Sequence, residues 1–288
     1  MPNMKTEGYL KNKEGKTWYE IYGGNKTKPP LLVVHGGPGF PHDYLQPLAK
    51  LADERQIIFY DQLGCGKSDR LPNNDHWTLE FFVEELDSLI KHLSLDKFHL
   101  LGHSWGAMLA TEYCLEKKIK PLSLILASPL ISTPLWISEM KRLINKLSPS
   151  TRKIILDNDK NNIDSSKYES ATDEFYNRHF FRGKKEPQAI VRARAKHGEG
   201  VYLTMWGDEE FRPTGNLKST DLTSRLSELN IPVLLTGGRF DEATPESLQT
   251  LAALIKNSQI KVFEKSAHFP HLEEKDDYLQ TLRKFLKP

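Results

Sequence analysis

The sequence predicts an α/β fold, a mostly parallel, doubly wound sheet carrying an inserted helical cap. Three observations lead there. Short apolar runs alternate with amphipathic helical stretches, the pattern of a parallel sheet covered on both faces. The run Lys97-Phe-His-Leu-Leu-Gly102-His103-Ser104-Trp105-Gly106-Ala-Met-Leu-Ala110 sets Gly-x-Ser-x-Gly between such a strand and a small-residue helix. One long stretch, 130–216, is polar, charged and helical in pattern, with no readable buried strand.

The elements follow in order. Trp18–Tyr22 alternates and reads as a strand. Pro29–Val34 is a buried strand ending at His35-Gly-Gly-Pro-Gly39, and Gln56–Tyr60 is another, running into Asp61-Gln-Leu-Gly-Cys-Gly-Lys-Ser68. Thr78 to His92 is a helix with Thr78 as N-cap. The Gly-x-Ser-x-Gly strand and helix come next, then the strand Leu122–Ala127. After the insertion, Ile231–Thr236 and Gln259–Phe263 are strands, Pro245–Ile255 is the helix between them, and Lys275–Leu286 closes the chain. Residues 1–129 and 217–288 are therefore assigned to the core and 130–216 to the cap. The aromatics of that insertion (Trp136, Phe175, Tyr176, Phe180, Phe181, Tyr202, Trp206, Phe211) favour a packed element over a loose linker.

Composition narrows the classes of function. A chain of 288 residues with 38% apolar content holds one α/β domain plus an insertion. The net charge is +2, with Lys and Arg scattered among Asp and Glu, so no nucleic-acid partner is expected. The run Arg192–Lys196 reads as a solvated helix face. No apolar run reaches the length of a membrane span, and Met1–Glu7 holds no signal-peptide core. Cys65 and Cys114 make no disulfide framework. A soluble, cytoplasmic protein without a membrane partner is the expectation; the sequence does not fix its oligomeric state.

The Gly-x-Ser-x-Gly context is that of a nucleophile elbow, a sharp strand-to-helix turn that presents a serine hydroxyl. Side chains at Gly102 or Gly106 would collide with the neighbouring strand or helix in so tight a turn. Ser104 is the candidate nucleophile. The N–H of Trp105, at the helix start, is a candidate oxyanion donor. A serine needs a base oriented by a third group, and in elbow folds the chain order is Ser, acid, His. Asp241 follows a core strand, just before a helix start at Thr244-Pro245, where the acid belongs. His268, after small Ser266 and Ala267, is the candidate base; His271 lies nearer the closing helix and reads as a packing or capping residue. The glycines of His35–Gly39 let an N–H face the serine, and that of Gly37 is assigned as the second oxyanion donor, with His35 structural. The segment Asp61–Ser68 ends in Gly-Lys-Ser but has Asp61 where a P-loop requires glycine, so it reads as a structural brace on the oxyanion side. No cluster has metal-ligand spacing and no dinucleotide fingerprint follows the first strand, so neither metal nor cofactor is expected.

At His35-Gly-Gly-Pro-Gly39, Asp61–Ser68, Gly102-His-Ser-Trp-Gly106, Gly238-Arg-Phe-Asp-Glu242 and Ser266-Ala-His268 the chain resembles the proline iminopeptidase group of serine peptidases, which includes the tricorn-interacting aminopeptidases and has the α/β-hydrolase fold. Leu63 departs from the arginine common in that group's Asp-Gln-x-Gly loop. The resemblance implies a cap, no cofactor, and release of an N-terminal residue, preferentially proline, from short peptides with a free N-terminus. Such an enzyme must pair a substrate ammonium with a carboxylate. Glu242, next to the predicted acid, is one candidate; by likeness to the group's second amine-binding segment, Glu210 is chosen over Glu209 as the other. Trp105 and the cap aromatics are candidate walls for a proline ring. The same triad would also serve an esterase or acyl hydrolase on small carboxylic esters or amides. A non-catalytic binding protein on this scaffold is the reading from another class.

Overall fold

Apolar runs with residues on two sides need cover on both, and the chain supplies it from the helical segments that follow its parallel strands. The computed structural model describes residues 4–24, 27–72, 75–156, 165–208 and 210–286. Its strands are β1 (Lys5–Lys11), β2 (Lys16–Tyr22), β3 (Lys28–Val34), β4 (Arg55–Tyr60), β5 (His99–His103), β6 (Ser123–Ala127), β7 (Val233–Gly238) and β8 (Ser258–Phe263). They form one sheet in the order β1-β2-β4-β3-β5-β6-β7-β8. The β1–β2 and β2–β4 pairs are antiparallel; from β4 to β8 every pair is parallel. Strand β1 escapes a reading by apolar pattern because most of its residues face water at the sheet edge.

The helices are α1 (Leu79–His92), α2 (Trp105–Glu116), α3 (Thr133–Ile144), α4 (Pro149–Leu156), α5 (Ser165–His179), α6 (Gln188–Ala195), α7 (Glu199–Met205), α8 (Pro245–Ala253), α9 (Pro270–Glu273) and α10 (Lys275–Phe285), with a 3-10 stretch at His42–Asp53. The Thr78 hydroxyl accepts from the Phe81 N–H at 3.2 Å and the Thr244 hydroxyl from the Ser247 N–H at 3.1 Å, so both predicted caps start their helices. Alternate residues of β3 and β4 divide between two cores. Leu32, Val34, Ile58 and Tyr60 pack with Phe82 of α1, Met108 of α2 and Leu248 of α8. Leu31, Val33, Ile57 and Phe59 pack with Leu45 and Leu48 of the 3-10 stretch and with Tyr278 and Leu282 of α10.

Helices α3–α7 all lie between β6 and β7 in the chain. The two ends of this insertion are tied together: the Thr133 N–H donates to the Thr220 carbonyl at 2.9 Å and the Leu222 N–H to that of Ile131 at 3.2 Å. Helix α6 leaves Arg192 and Arg194 exposed, as the reading of Arg192–Lys196 as a solvated face expects, and buries its opposite side. Ile190 and Ala193 are buried in the second core, and Lys196 Nζ and Arg192 Nε lie 2.9 and 3.5 Å from the buried Asp43 carboxylate. The basic run therefore docks α6 on the 3-10 stretch, while Arg194 pairs with Glu186. Among the described residues no helix is long and apolar enough to cross a membrane.

Candidate active site

Fully buried β5 ends at His103 and α2 begins at Trp105, leaving Ser104 alone to make the turn. Its backbone sits at φ 55° and ψ −121°, a conformation that costs a non-glycine residue free energy and recurs at functional sites. The surroundings hold it there. The Ser104 N–H donates to the Ala127 carbonyl at 2.9 Å, and the Ser104 carbonyl accepts from Ala107 at 2.9 Å and Leu130 at 3.2 Å. A Cβ on Gly102 would be driven into the Gly106 carbonyl, and one on Gly106 would stand 2.5 Å from the carbonyl oxygens of Val34 and His35. Glycine is required at both positions by the closeness of backbone on either side.

The predicted acid and base meet. Asp241 follows β7 and His268 follows β8, and adjacency of these strands brings the two loops together. His268 donates from Nδ1 to Asp241 Oδ1 at 2.8 Å. Asp241 also accepts from the N–H groups of Ala243 at 2.9 Å and Gly238 at 3.2 Å, which fix the carboxylate. With Nδ1 committed as donor, a neutral His268 keeps its lone pair on Nε2. The insertion reaches this histidine: its N–H donates to the Phe180 carbonyl at 3.1 Å, and the Phe180 ring stacks on the imidazole at 5.8 Å. Ser104 and His268 line one cavity of about 540 Å³. His271 is buried against the Tyr44 backbone, with Nε2 at 3.2 Å from that carbonyl; burial pushes its pKa down to about 3.

The glycine loop after β3 lies against the elbow, and both Gly36 and Gly37 line the cavity. The Gly36 N–H is already committed, donating to Tyr44 Oη at 2.8 Å. Gly37 has φ 114°, and a Cβ there would stand 2.5 Å from the nitrogens of Gly39 and Phe40. The Trp105 side chain corrects the sequence reading. Its indole is fully buried in the first core, and Nε1 donates to Gln62 Oε1 at 3.1 Å, so it is no wall of the cavity. The same Gln62 donates twice to His35: its N–H to Nε2 at 2.9 Å and its amide to the carbonyl at 3.0 Å. Gln62 thus joins the glycine loop to the elbow helix, the brace expected of segment 61–68. Asp61 beside it accepts from His42 Nδ1 at 2.7 Å, and His42 Nε2 lies 3.1 Å from Glu20. Burial works against charge on His42, yet its bonds to Asp61 and Glu20 outweigh it and raise the pKa to about 9.

Two carboxylates share the cavity. Glu242 is 3% exposed, and among the described residues its Oε1 has no hydrogen-bond partner. Burial, followed by the charges of Glu210 and Asp241, holds its pKa well above the usual carboxylate range. Glu210 accepts from the Tyr202 hydroxyl; burial raises its pKa and that hydrogen bond offsets part of the rise. Glu209 lies outside the described residues. Trp136, Tyr176, Phe180, Tyr202 and Trp206 give the cavity its aromatic walls. Among the described residues no group of three or more His, Cys, Asp or Glu is placed to hold a metal ion.

The family described as alpha/beta hydrolase fold matches residues 29–275. The chain is 41% identical to the proline iminopeptidase of Heyndrickxia coagulans, over 98% of this chain and 99% of that one. The proline iminopeptidase of Clostridioides difficile is 40% identical over 98% of each chain. The chain belongs to the proline iminopeptidase family. In three dimensions it is similar to the proline iminopeptidase of Mycobacterium smegmatis, with a TM-score of 0.92 at 32% identity, over 98% of this chain and 97% of that one. Against that family background, sequence reasoning missed several residues around the site. Tyr44, His103 and Ser128 all hydrogen-bond to its loops, and Phe180 packs on His268. His103 was in view as the second residue of the Gly-x-Ser-x-Gly motif; Tyr44 and Ser128 carry no local signal.

Proposed function

We propose that this member of the family removes an N-terminal residue, preferentially proline, from short peptides with a free N-terminus, through an acyl-enzyme on Ser104. Ser104 Oγ attacks the first peptide carbonyl while His268 Nε2 takes its proton. The N–H groups of Gly37 and Trp105 receive the oxyanion. His268 returns the proton to the leaving amine, and water then repeats the sequence on the ester. Asp241 keeps Nδ1 as the donor and favours the imidazolium that forms.

The observation that carries the exopeptidase reading is Glu242. A carboxylate 3% exposed, with a free oxygen and in the same cavity as Ser104 and His268, is costly unless a cation completes it. A substrate ammonium is that cation, with Glu210 as the second acceptor. The aromatic walls suit a pyrrolidine ring. In this reading residues 130–216 act as a cap over a core of 1–129 and 217–288. The unbridged, buried thiols of Cys65 and Cys114 support a cytoplasmic setting.

The test is selective loss. Glu242→Gln should lower kcat/KM on L-proline arylamide by about 2–4 kcal/mol, the range for stranding one member of a buried charge pair. On a substrate with a blocked amine the same variant should change little. Equal losses on both substrates would refute amine recognition by Glu242.

A further inference from the structure

We infer that Tyr44 and His103 form a directed hydrogen-bond relay that positions the oxyanion loop and the base loop of this site relative to Ser104. The inference rests on the roles proposed above for Ser104, Gly37 and His268. The Gly36 N–H donates to Tyr44 Oη at 2.8 Å. Tyr44 Oη lies 3.1 Å from His103 Nδ1, and His103 Nε2 lies 3.0 Å from the His268 carbonyl oxygen. A carbonyl only accepts, so Nε2 carries the ring proton. Burial, followed by the charges of His268 and His271, keeps His103 neutral. A neutral imidazole has one N–H, so Nδ1 is the acceptor and the Tyr44 hydroxyl must donate to it. The direction is therefore fixed from Gly36 to Tyr44 to His103 to His268.

Each end of the relay sets a reacting group. At one end, Gly36 is held through both its peptide groups. Its N–H is on Tyr44, and its carbonyl accepts from His35 Nδ1 at 2.9 Å and the Phe40 N–H at 3.2 Å. In a planar trans peptide the next N–H points opposite that carbonyl, which aims the Gly37 donor away from the loop. At the other end, the His268 carbonyl receives both His103 Nε2 and, at 3.1 Å, the Ser128 hydroxyl. His103 directly precedes Ser104, so the middle of the relay is covalently joined to the nucleophile. Tyr44 and His103 are each 1% exposed, and Phe269 stacks on the His103 ring at 5.5 Å, so both bonds are made in a largely desolvated setting at the cavity wall. Neither side chain reacts; both act as positioning residues.

Tyr44→Phe keeps the ring and removes the hydroxyl. Its kcat on L-proline arylamide should fall about 10–100-fold with KM changed less than about threefold, as misplacement of reacting groups predicts. A proline-derived boronic acid, which binds as a tetrahedral adduct on Ser104, should lose affinity in proportion to kcat. Free L-proline should bind as before. His103→Gln retains an N–H for the His268 carbonyl and His103→Leu does not, so kcat should rank parent above Gln above Leu. If Tyr44→Phe does not fold, this pair decides alone, and equal kcat for Gln and Leu overturns the relay. Parental kcat in Tyr44→Phe, or equal loss of boronate and L-proline affinity, also overturns it. Ser104→Ala separates the two levels: activity retained there overturns the reading of the site itself, whereas a parental Tyr44→Phe beside an inactive Ser104→Ala overturns the relay only.

Discussion

Asp241 and Glu242 are adjacent carboxylates with opposite circumstances. Asp241 accepts three hydrogen bonds, from His268, Ala243 and Gly238, while Glu242 Oε1 has no partner among the described residues. On the proposed reading, one orients an imidazole and the other awaits the substrate's ammonium. Because burial and the neighbouring carboxylates raise the Glu242 pKa, a proton competes with the substrate ammonium for it. KM for a free-amine substrate should therefore rise as pH falls below that raised pKa, and Glu242→Gln should flatten the rise; steady-state profiles on free and N-acetylated arylamides check this. At the nucleophile, Ser104→Ala should cost kcat about 10⁴–10⁶-fold, measured on purified, folded variant, and a loss below about tenfold would remove Ser104 from the mechanism. The turn at Ser104 and the Asp241–His268 pair were legible in the sequence because each of these residues follows the end of a core strand, in the chain order that an elbow demands. Tyr44 and His103 were not, because their partners stand 59 and 165 positions away and only the folded loops bring them together.

The elbow shows how an element fixes a residue. The β5–α2 turn leaves so little room that a Cβ at Gly102 meets the backbone of the following helix. Gly102→Ala should destabilise the protein by about 1–3 kcal/mol or more, the usual cost of overpacking, and lower kcat as well because the turn carries Ser104. Urea unfolding beside kinetics tests this, and unchanged stability would contradict the packing described. Elements were readable where one local pattern dominates. Thr78 and Thr244 announced their helices because a side-chain oxygen satisfies an orphan N–H, a wholly local bond. Strand β1 and the 3-10 stretch at His42–Asp53 lacked that clarity: the first is mostly solvent-exposed, and the second has Pro47 inside it. The ion pairs from α6 to Asp43 were not readable, because that partner is remote in sequence.

Across the whole molecule, buried ionisable groups behind the glycine loop link stability to pH. Burial pushes the Glu85 carboxyl up to about 8, only partly offset by hydrogen bonds from the Thr17 hydroxyl and the Leu63 N–H. His42 is raised to about 9. Both folded-state values lie above the ordinary ones of 4.5 and 6.5, so both contributions are full below those ordinary values and are lost as pH rises through 8 and 9. Burial raises Glu20, but its bonds from His42 and Lys5 win and hold it at about 2, so its contribution is present above 4.5 and lost as pH falls toward 2. Stability should therefore decline on the alkaline side as well as in strong acid. Glu85→Gln keeps an acceptor for Thr17 and Leu63 without the charge, so its advantage over the parent should grow from pH 5 to pH 8.5 in urea unfolding; a constant difference would contradict the burial argument. The alternation of strands and helices made this architecture legible, whereas how α3–α7 meet the core was not, since those contacts join residues far apart in the chain.

On the proposed reading, one cavity reads a free N-terminal amine and cleaves the bond beside it through Ser104. The most direct measurement is hydrolysis of L-proline arylamide beside its N-acetylated form and a short acyl ester, by the parent and by Ser104→Ala. Cleavage of the free-amine substrate far above the other two, abolished in the variant, is the predicted result. Faster turnover of the ester than of the free-amine amide, or activity surviving in Ser104→Ala, would contradict it.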